Sequence, residues 1–313
     1  MHSLPGSAAP EAPAARPAPV SARPKGRGRL TPLALGLPSA LLVVVFLVGP
    51  IIAAFLVSFT NQALTGVHAL YYGNVGLSNY RSLFTDPVFF HSAYLSLLYV
   101  VLTAVVGETG LGLLVAFLMH RGASRFVIRF VGSTMIAAWV IPEIVAAFLW
   151  LAFGSQGGTL DTLLRPVGLG QFAWFSQLPL ILVSLATVWA GAAFSMLIFS
   201  AGLRGLPDEV VEAAVVDGAG SWQRIRQVEL PLLRRTFAVN LILVTLSTLT
   251  DFTLIYALTG GGPGDATQTL PQYAYQQTFS FAQLGFGDAA AVVLLVVAAV
   301  ICLLYVRLLK VEV

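Results

Sequence analysis

Six long apolar runs divide the 313-residue chain, at about residues 33–59, 94–119, 127–153, 179–203, 236–258 and 288–309. Each run reaches or exceeds the ~20 residues that an α-helix needs to cross ~30 Å of hydrocarbon. Inside a bilayer, backbone polar groups must find their partners within the chain, so each run is predicted to be helical. Charged residues make up only 10% of the chain, against about 25% in soluble domains. The sequence therefore predicts an all-α integral membrane protein with six transmembrane helices.

The basic residues predict how these helices are oriented. Fifteen of the 17 Lys and Arg residues lie before the first run, between the second and third, between the fourth and fifth, or after the sixth. The other two, Arg81 and Arg165, lie in segments on the opposite side. Because cytoplasmic loops carry the excess of Lys and Arg, both termini and the loop between the fourth and fifth runs are predicted to be cytoplasmic.

Residues 1–31 are rich in Pro, Ala, Ser and Arg and show no apolar periodicity. This composition cannot bury a core, so the segment is predicted to be a disordered cytoplasmic tail, followed by a transmembrane domain over residues 32–313. A secretory signal peptide is the alternative. The first apolar run is longer than the ~7–15 residues of a signal peptide, which favours a retained first span.

The chain lacks the residue patterns that several classes of protein function require. Lys25 and Lys310 are the two lysines, and neither stands in the glycine-rich pattern that cradles ATP phosphates. The single cysteine, Cys302, allows no intrachain disulfide, and the four histidines show no metal-ligand spacing. No Ser/His/Asp or Cys/His grouping is evident. The chain is therefore predicted to have no catalytic residue, no metal site and no cofactor of its own.

The loop over residues 204–235 is predicted to fold as a helix, a glycine turn and a second short helix. Two acids after Pro207 suit the first turn of a helix. Gly218 suits the left-handed position that ends one. Ser221 is placed to cap the second helix, which is predicted to end before Pro231. A structured basic loop between two spans indicates a docking element.

The same loop contains Glu-Ala-Ala, a glycine six residues after the Glu, and Leu-Pro further on. It resembles the EAA loop of binding-protein-dependent ABC importer permeases of the carbohydrate (maltose/trehalose/glycerol-phosphate-type) family. The predicted external segments that begin at Gly76 and Leu258 are also similar to those of this family. The resemblance implies the type I ABC importer permease fold. It also implies that an ATPase docks on Glu212, Ala213, Ala214, Asp217, Gly218, Ala219, Leu230 and Pro231.

The resemblance further implies a set of partners in a bacterial cell membrane. They are a second homologous permease subunit, two ATPase subunits that bind ATP and magnesium, and an extracellular substrate-binding lipoprotein. The cargo implied is a sugar, in particular a di- or oligosaccharide.

The helices predicted on either side of the loop each carry small and polar residues on one face. In the maltose-type permeases that the chain resembles, matching positions line the sugar site. Hydroxyls and carboxylates can bond sugar hydroxyls, and an aromatic plate such as Trp189 can stack on C–H faces. Helix packing is the alternative role of such residues, and Asp251 would repel an anionic cargo. The predicted substrate path comprises Thr187, Gly191, Phe194, Ser247, Thr248 and Asp251.

Three acids lie within the apolar runs: Glu108, Glu143 and Asp251. Charged groups at membrane depth are costly and usually face a cavity or a partner. Glu108 lies among glycines and is either a packed structural acid or a functional one, and Glu143 follows Pro142 at a gate or at a helix kink. The same acids allow an alternative function, an ion-coupled secondary transporter. A requirement for ATP or for an ion gradient would distinguish the two.

Overall fold

The computed structural model describes residues 30–122, 124–168 and 172–308, and these residues are predominantly helical. The predicted disordered tail, residues 1–31, therefore lies almost wholly outside the described residues. The chain divides into two compact units, one ending at Ile51 and one beginning at Ile52. Among the described residues, β-structure is limited to one isolated bridge between Thr60 and Asn74.

The principal helices are labelled α1 to α9 in chain order. They are α1 (Leu30–Val43, continued through a π-helical turn, Val44–Val48, into Gly49–Val57), α2 (Pro87–Val100, continued through a π-helical segment, Val101–Glu108, into Thr109–His120), α3 (Arg125–Val140), α4 (Glu143–Gly154), α5 (Pro179–Arg204), α6 (Asp208–Val216), α7 (Arg234–Leu249), α8 (Thr253–Thr259) and α9 (Leu284–Leu308). Shorter helical turns cover Val67–Leu70, Ser78–Leu83, Thr159–Leu164, Arg165–Val167, Trp174–Gln177, Ser221–Arg224, Ile225–Glu229, Leu230–Leu232, Leu270–Tyr275 and Gln276–Ser280.

Four of the described helices are long and apolar enough to cross a membrane: Leu37–Val57, Pro87–His120, Pro179–Arg204 and Leu284–Arg307. Two further pairs of helices are bent at a short break, and the number of candidate spans rises to six if each pair forms one span. These pairs are Arg125–Val140 with Glu143–Val167, bent by 109°, and Ser221–Leu232 with Arg234–Leu249, bent by 69°. The helical membrane fold is as predicted, whereas two of the six predicted runs are not continuous helices.

The third run, 127–153, breaks between α3 and α4. Ile141 adopts extended backbone, with φ −64° and ψ 128°, because the ring of Pro142 disfavours helical backbone in the residue before it. Proline also lacks the N–H that would continue the hydrogen-bond ladder. Glu143 therefore becomes the first residue of a new helix, α4.

The fifth run, 236–258, breaks between α7 and α8. The Thr250 hydroxyl donates to the carbonyls of Leu246 and Ser247, at 2.9 and 3.2 Å, and so competes for the last turn of α7. The Asp251 N–H bonds to Thr248 three residues back, at 3.2 Å. The prediction that Asp251 lies on a continuous helical face is therefore wrong, because Asp251 lies in the break.

Helices α2 and α5 pack closely through glycines. A Cβ at Gly112 would come within 2.7 Å of the Met196 backbone nitrogen, and one at Gly107 would meet the Val188 side chain. Small residues let two helix backbones approach in this way. The close approach therefore involves Gly107 and Gly112 but not Gly110, whose Cβ position is open.

The segment after α8 is anchored to the start of α2. Helix α8 ends where Gly260 turns left-handed, with φ 59°. Beyond this turn, the Tyr273 hydroxyl donates to Asp86 at 2.6 Å, and the Leu270 N–H donates to Ser96 Oγ at 2.7 Å. Burial and the neighbouring Asp86 carboxylate raise the pKa of Tyr273, so its hydroxyl stays a donor.

We expect Gly112→Leu to destabilise the protein by about 1–3 kcal/mol, the usual cost of overpacking a well-packed contact. The new side chain must push α5 away from α2. The thermal unfolding midpoint of the detergent-solubilised protein measures the effect. Gly110→Leu is the matched control, since it makes the same change on the same helix in open space. Equal midpoints for the two variants would contradict this account of the contact.

Candidate functional site

A cavity of about 350 Å³ lies where both helix breaks meet α2 and α5. Irregular backbone at membrane depth is tolerated where it lines a cavity, because water or solute can then satisfy the freed polar groups. The α3–α4 break contributes Ile141 and Glu143, and the α7–α8 break contributes Asp251 and Phe252. The remaining lining residues are Glu108, Trp139, Thr187, Ala190, Gly191, Ser247, Thr248, Thr250, Thr253 and Leu254.

A buried hydrogen-bond network fixes one wall of this cavity. The Tyr99 hydroxyl, on α2, donates to Asp251 Oδ2 at 2.8 Å. The Thr187 hydroxyl, on α5, lies 2.6 Å from the same Tyr99 oxygen. Because Tyr99 gives its proton to the carboxylate, the Thr187 proton is shared between the Tyr99 oxygen and the Val183 carbonyl, which lies 3.1 Å away. Helices α2 and α5 thereby hold the Asp251 carboxylate in place, while its second oxygen, Oδ1, is buried without a partner.

The structure brings five of the six residues of the predicted substrate path to this cavity. They are Thr187, Gly191, Ser247, Thr248 and Asp251. The sixth, Phe194, lines a second cavity of about 330 Å³. Their role in substrate passage stays a prediction.

The aromatic walls differ from the expectation. Trp189 lies with its ring 6.3 Å from that of Trp150, and it does not line the first cavity. Its place is taken by Trp139 and Phe252. The sequence does not distinguish either residue from aromatics at the membrane interface. Each lines the cavity only because the helix beside it breaks. Tyr99 was missed for a similar reason, since its partners are distant in sequence.

The two acids whose roles were open both line the first cavity. Glu108 ends the π-helical segment of α2 and is 5% exposed. Its carboxylate fills the space beside Gly191, where any Cβ would collide with it. Glu143 reaches the cavity from the first turn of α4. Together with Asp251, these residues give the cavity three carboxyl groups from three separate segments.

The loop between α5 and α7 begins as predicted. Helix α6 starts after Pro207 and ends with Gly218 in the left-handed region, at φ 79°. The Ala219 N–H bonds to the Ala214 carbonyl, and the Gly218 N–H bonds to Val215, which together form a Schellman cap. This turn leaves the side chain of Glu212 exposed.

The second half of the loop departs from the prediction. Gly220, not Ser221, is the N-cap residue, and Ser221 is the first helical residue. The helical path also continues past Pro231 to Leu232. Proline is tolerated there because it stands in the first turn of a new α-helical segment, after the π-helical turn Ile225–Glu229.

An ion pair attaches this loop to the end of α2. Arg121 Nη2 lies 2.9 Å from the buried Glu229 carboxylate, and Arg121 Nη1 donates to the Ser221 carbonyl at 2.8 Å. Leu230 packs against an apolar cluster that includes Phe199. The loop base is thus tied to α2 and α5. Neither ionic partner was identified from the sequence, because they are far apart along the chain.

No group of three or more His, Cys, Asp or Glu side chains suited to a metal ion occurs in the described ranges 30–122, 124–168 and 172–308. The binding of ATP and magnesium by partner subunits stays an expectation from the resemblance.

Residues 108–311 match the family described as "Binding-protein-dependent transport system inner membrane component". The chain belongs to this family. It is therefore a membrane-embedded permease component of a transport system, and the prediction of a transport subunit rather than an enzyme is confirmed. The family relationship also supports the importer reading over the ion-coupled carrier.

Curated relatives agree with this assignment. The permease is 32% identical over 90% of its length to the sulfoquinovosyl glycerol transport system permease protein of Agrobacterium fabrum, and it covers 91% of that relative. It is 29% identical over 87% of its length to the trehalose/maltose transport system permease protein of Thermococcus litoralis, of which it covers 90%.

A solved structure shares the fold. It is the structure of a bacterial alginate ABC transporter in complex with alginate pentasaccharide-bound periplasmic protein. The match has a TM-score of 0.76 at 22% identity and covers 90% of this chain and 96% of that chain. The expected ABC importer permease fold is thereby confirmed.

We expect Arg121→Ala to destabilise the permease by roughly 3 kcal/mol, because Glu229 would keep a buried charge without its partner. Thermal unfolding in detergent measures this loss. The double variant Arg121→Ala/Glu229→Ala should recover part of the stability, since no unpaired charge remains. A double variant less stable than Arg121→Ala would contradict a direct pairing of the two residues.

Proposed function

We propose that this permease forms one half of the translocation path of an ATP-driven importer for sugars, in particular di- or oligosaccharides. The observation that carries the proposal is the first cavity. It combines hydroxyls, carboxylates and aromatic rings at the two helix breaks of a binding-protein-dependent permease. A volume of about 350 Å³ falls within the ~300–1,000 Å³ of small-molecule sites.

The chemistry of the cavity suits a hydroxyl-rich cargo. The Asp251 carboxylate lines the cavity, and the exposed Ser247 hydroxyl can donate a hydrogen bond to a sugar hydroxyl or accept one from it. Trp139 and Phe252 provide faces on which sugar C–H groups can stack. The two curated relatives are named for sulfoquinovosyl glycerol and for trehalose and maltose, which supports a carbohydrate or carbohydrate derivative.

The loop suits an ATPase as its partner. Its α6 end exposes the Glu212 and Ala213 side chains, and the adjoining Val216 and Trp222 are 86% and 71% exposed. Exposed apolar patches rimmed by polar residues mark protein–protein contacts. We infer that Glu212, Ala213, Ala214, Asp217, Gly218 and Ala219 face the ATPase, with Leu230 and Pro231 supporting the hairpin.

The loop has two mechanical connections to the cavity. Through Arg121 and Glu229 it is tied to α2, the helix that carries Tyr99 and Glu108. Through Leu233 it continues into α7, which ends next to Asp251. Movement of the loop, when ATPase subunits close on ATP, would therefore shift two walls of the cavity together.

The remaining partners and the topology belong to the same proposal. We infer six spans with both termini cytoplasmic, in a bacterial cell membrane. A second homologous permease completes the path, two ATPase subunits bind ATP and magnesium, and an extracellular lipoprotein delivers the sugar. The 15-to-2 partition of basic residues supports this orientation.

The function is tested by uptake of radiolabelled maltose and trehalose into proteoliposomes that contain the co-purified importer and its binding protein. Uptake that depends on ATP inside the vesicles supports the proposal. Uptake driven by an imposed ion gradient without ATP contradicts it and favours an ion-coupled carrier.

We expect Gly218→Pro and Glu212→Lys to abolish ATP-driven uptake and to weaken retention of the ATPase on the purified permease. Proline cannot adopt the positive φ of residue 218, and lysine reverses the charge at the exposed docking face. Gly220→Ala and Glu209→Lys are the matched controls in the same loop. Normal uptake in the two test variants would remove the loop from coupling.

We expect Asp251→Ala to raise the sugar concentration for half-maximal ATPase stimulation by roughly tenfold. A hydrogen bond to a charged group contributes about 1.5–3 kcal/mol, and tenfold corresponds to about 1.4 kcal/mol. Asp288→Ala is the control, since Asp288 lies on α9 and lines neither cavity. An unchanged response across the sugars tested would place Asp251 outside the site.

A further inference from the structure

A row of four aromatic rings begins at the wall of the first cavity. Phe252 lines the cavity, and its ring lies 4.6 Å from that of Tyr275 and 5.1 Å from that of Tyr256. The rings of Tyr256 and Tyr275 are 5.2 Å apart, and the ring of Phe279 lies 4.9 Å from that of Tyr275. These separations are typical of aromatic contacts. The four residues are here named the aromatic row.

Helical spacing and one hydrogen-bonded turn build the row. Phe252 and Tyr256 lie four residues apart at the start of α8, where the Tyr256 N–H bonds to the Phe252 carbonyl at 2.9 Å. The other two members have the same spacing on the segment that returns after α8. The Gln272 side chain donates to the Gly260 carbonyl at 3.1 Å and so holds this segment against the end of α8. The two pairs of rings are thereby brought into contact.

The row lies on the surface of the chain and not in its core. Tyr256 is 47% exposed and Phe279 is 61% exposed. A different face of α8 is buried, and there Leu254, Ile255 and Leu258 join an apolar cluster. The packing of α8 therefore does not require the rings of the row.

The returning segment directs its two tyrosines differently. Tyr273 is fully buried, and its hydroxyl donates to Asp86. Tyr275, two residues later, is partly exposed and contacts three rings of the row. Tyr273 thus anchors the segment, whereas Tyr275 is presented at its surface.

The cavity at one end of the row indicates what the exposed rings contact. Phe252 shares the cavity wall with the exposed Thr253 side chain and with the Asp251 carboxyl group. Lipid chains would satisfy the rings but not these polar neighbours, whereas a sugar presents both C–H faces and hydroxyl groups. The face of an aromatic ring is the negative part of its quadrupole, which attracts polarised C–H groups. This attraction requires no ionised side chain.

We propose that the aromatic row is an entry path on which the sugar stacks on its way to the first cavity. In the topology proposed above, the segment after α8 is external, so the row leads from the outer face to the cavity wall. Because neighbouring rings are 4.6–5.2 Å apart, a sugar that leaves one ring already touches the next. This inference rests on the proposed function and adds a binding surface outside the cavity.

The contact can be measured directly at Phe279, the exposed end of the row. The purified importer in nanodiscs, without ATP or binding protein, carries para-fluorophenylalanine in place of Phe279, a nearly isosteric change. Its fluorine NMR signal is followed during titration with maltose. We expect the signal to shift with maltose concentration and to saturate. Mannitol is the control solute, since this acyclic polyol has hydroxyl groups but no flat C–H face, and it should cause no shift.

Phe281 provides a matched control position. It is 59% exposed and lies two residues after Phe279, and among the described residues its ring contacts no member of the row. The same label at position 281 should not respond to maltose. An absent shift at position 279, or equal shifts at the two positions, would overturn the inference.

We also expect Phe279→Leu to lower the initial rate of ATP-driven maltose uptake about fivefold, a factor equivalent to about 1 kcal/mol. Leucine keeps an apolar contact with lipid or with the second permease but removes the ring. Phe279→Tyr should keep the rate, because it keeps the ring, and Phe281→Leu should leave it unchanged. A normal rate in Phe279→Leu, or loss of the second permease from that variant on purification, would identify an apolar anchor or a subunit contact and contradict an entry path.

The two proposals fail in different ways. Absent ATP-dependent uptake by the unaltered importer would contradict the proposed function, and the fluorine titration would still report on the row. Normal uptake without a maltose-dependent shift at position 279 would contradict the entry path alone.

Discussion

The close approach of α2 and α5 is the contact on which the rest of the site depends. Gly107 and Gly112 on α2 leave no room for a side chain against Val188 and Ser195 on α5. Only at this separation can the Tyr99 and Thr187 hydroxyls lie 2.6 Å apart. Between helices in lipid, packing and hydrogen bonds replace the hydrophobic effect as the attractive forces. The glycines that set the helix spacing therefore also set the geometry of the cavity wall.

Two helix breaks and one loop complete the functional unit. The breaks at Pro142 and at Asp251 turn polar backbone and carboxyl groups toward one cavity, an arrangement that discontinuous helices of transporters share. The Arg121–Glu229 ion pair joins the loop to the same α2 helix that carries Tyr99 and Glu108. The first cavity and the loop between α5 and α7 are thus connected through one helix, α2.

Local sequence signals predicted the parts of the structure that local physics controls. Gly218 ends α6, as predicted, because a left-handed residue is needed there. Pro142 ends α3 because its ring and missing N–H act on the adjacent residues, although the run 127–153 was predicted as one helix. By contrast, the fifth apolar run gave no strong local signal for its break after Leu249. The Thr250 hydroxyl competes for backbone carbonyls at this break, but a threonine in an apolar run is a weak predictor of a helix end, since most such threonines are accommodated without a break.

The sequence by itself determined the membrane environment, the number of apolar runs, the Glu-Ala-Ala loop pattern and the three acids within the apolar runs, because each follows from composition or from short-range spacing. The tertiary structure decided which polar groups share a cavity. Tyr99 bonds to a residue 152 positions away, and Arg121 pairs with one 108 positions away. Trp139 rather than Trp189 reaches the cavity wall. Such pairings depend on how the helices pack and where they break, and the periodicity of a single helix does not predict either.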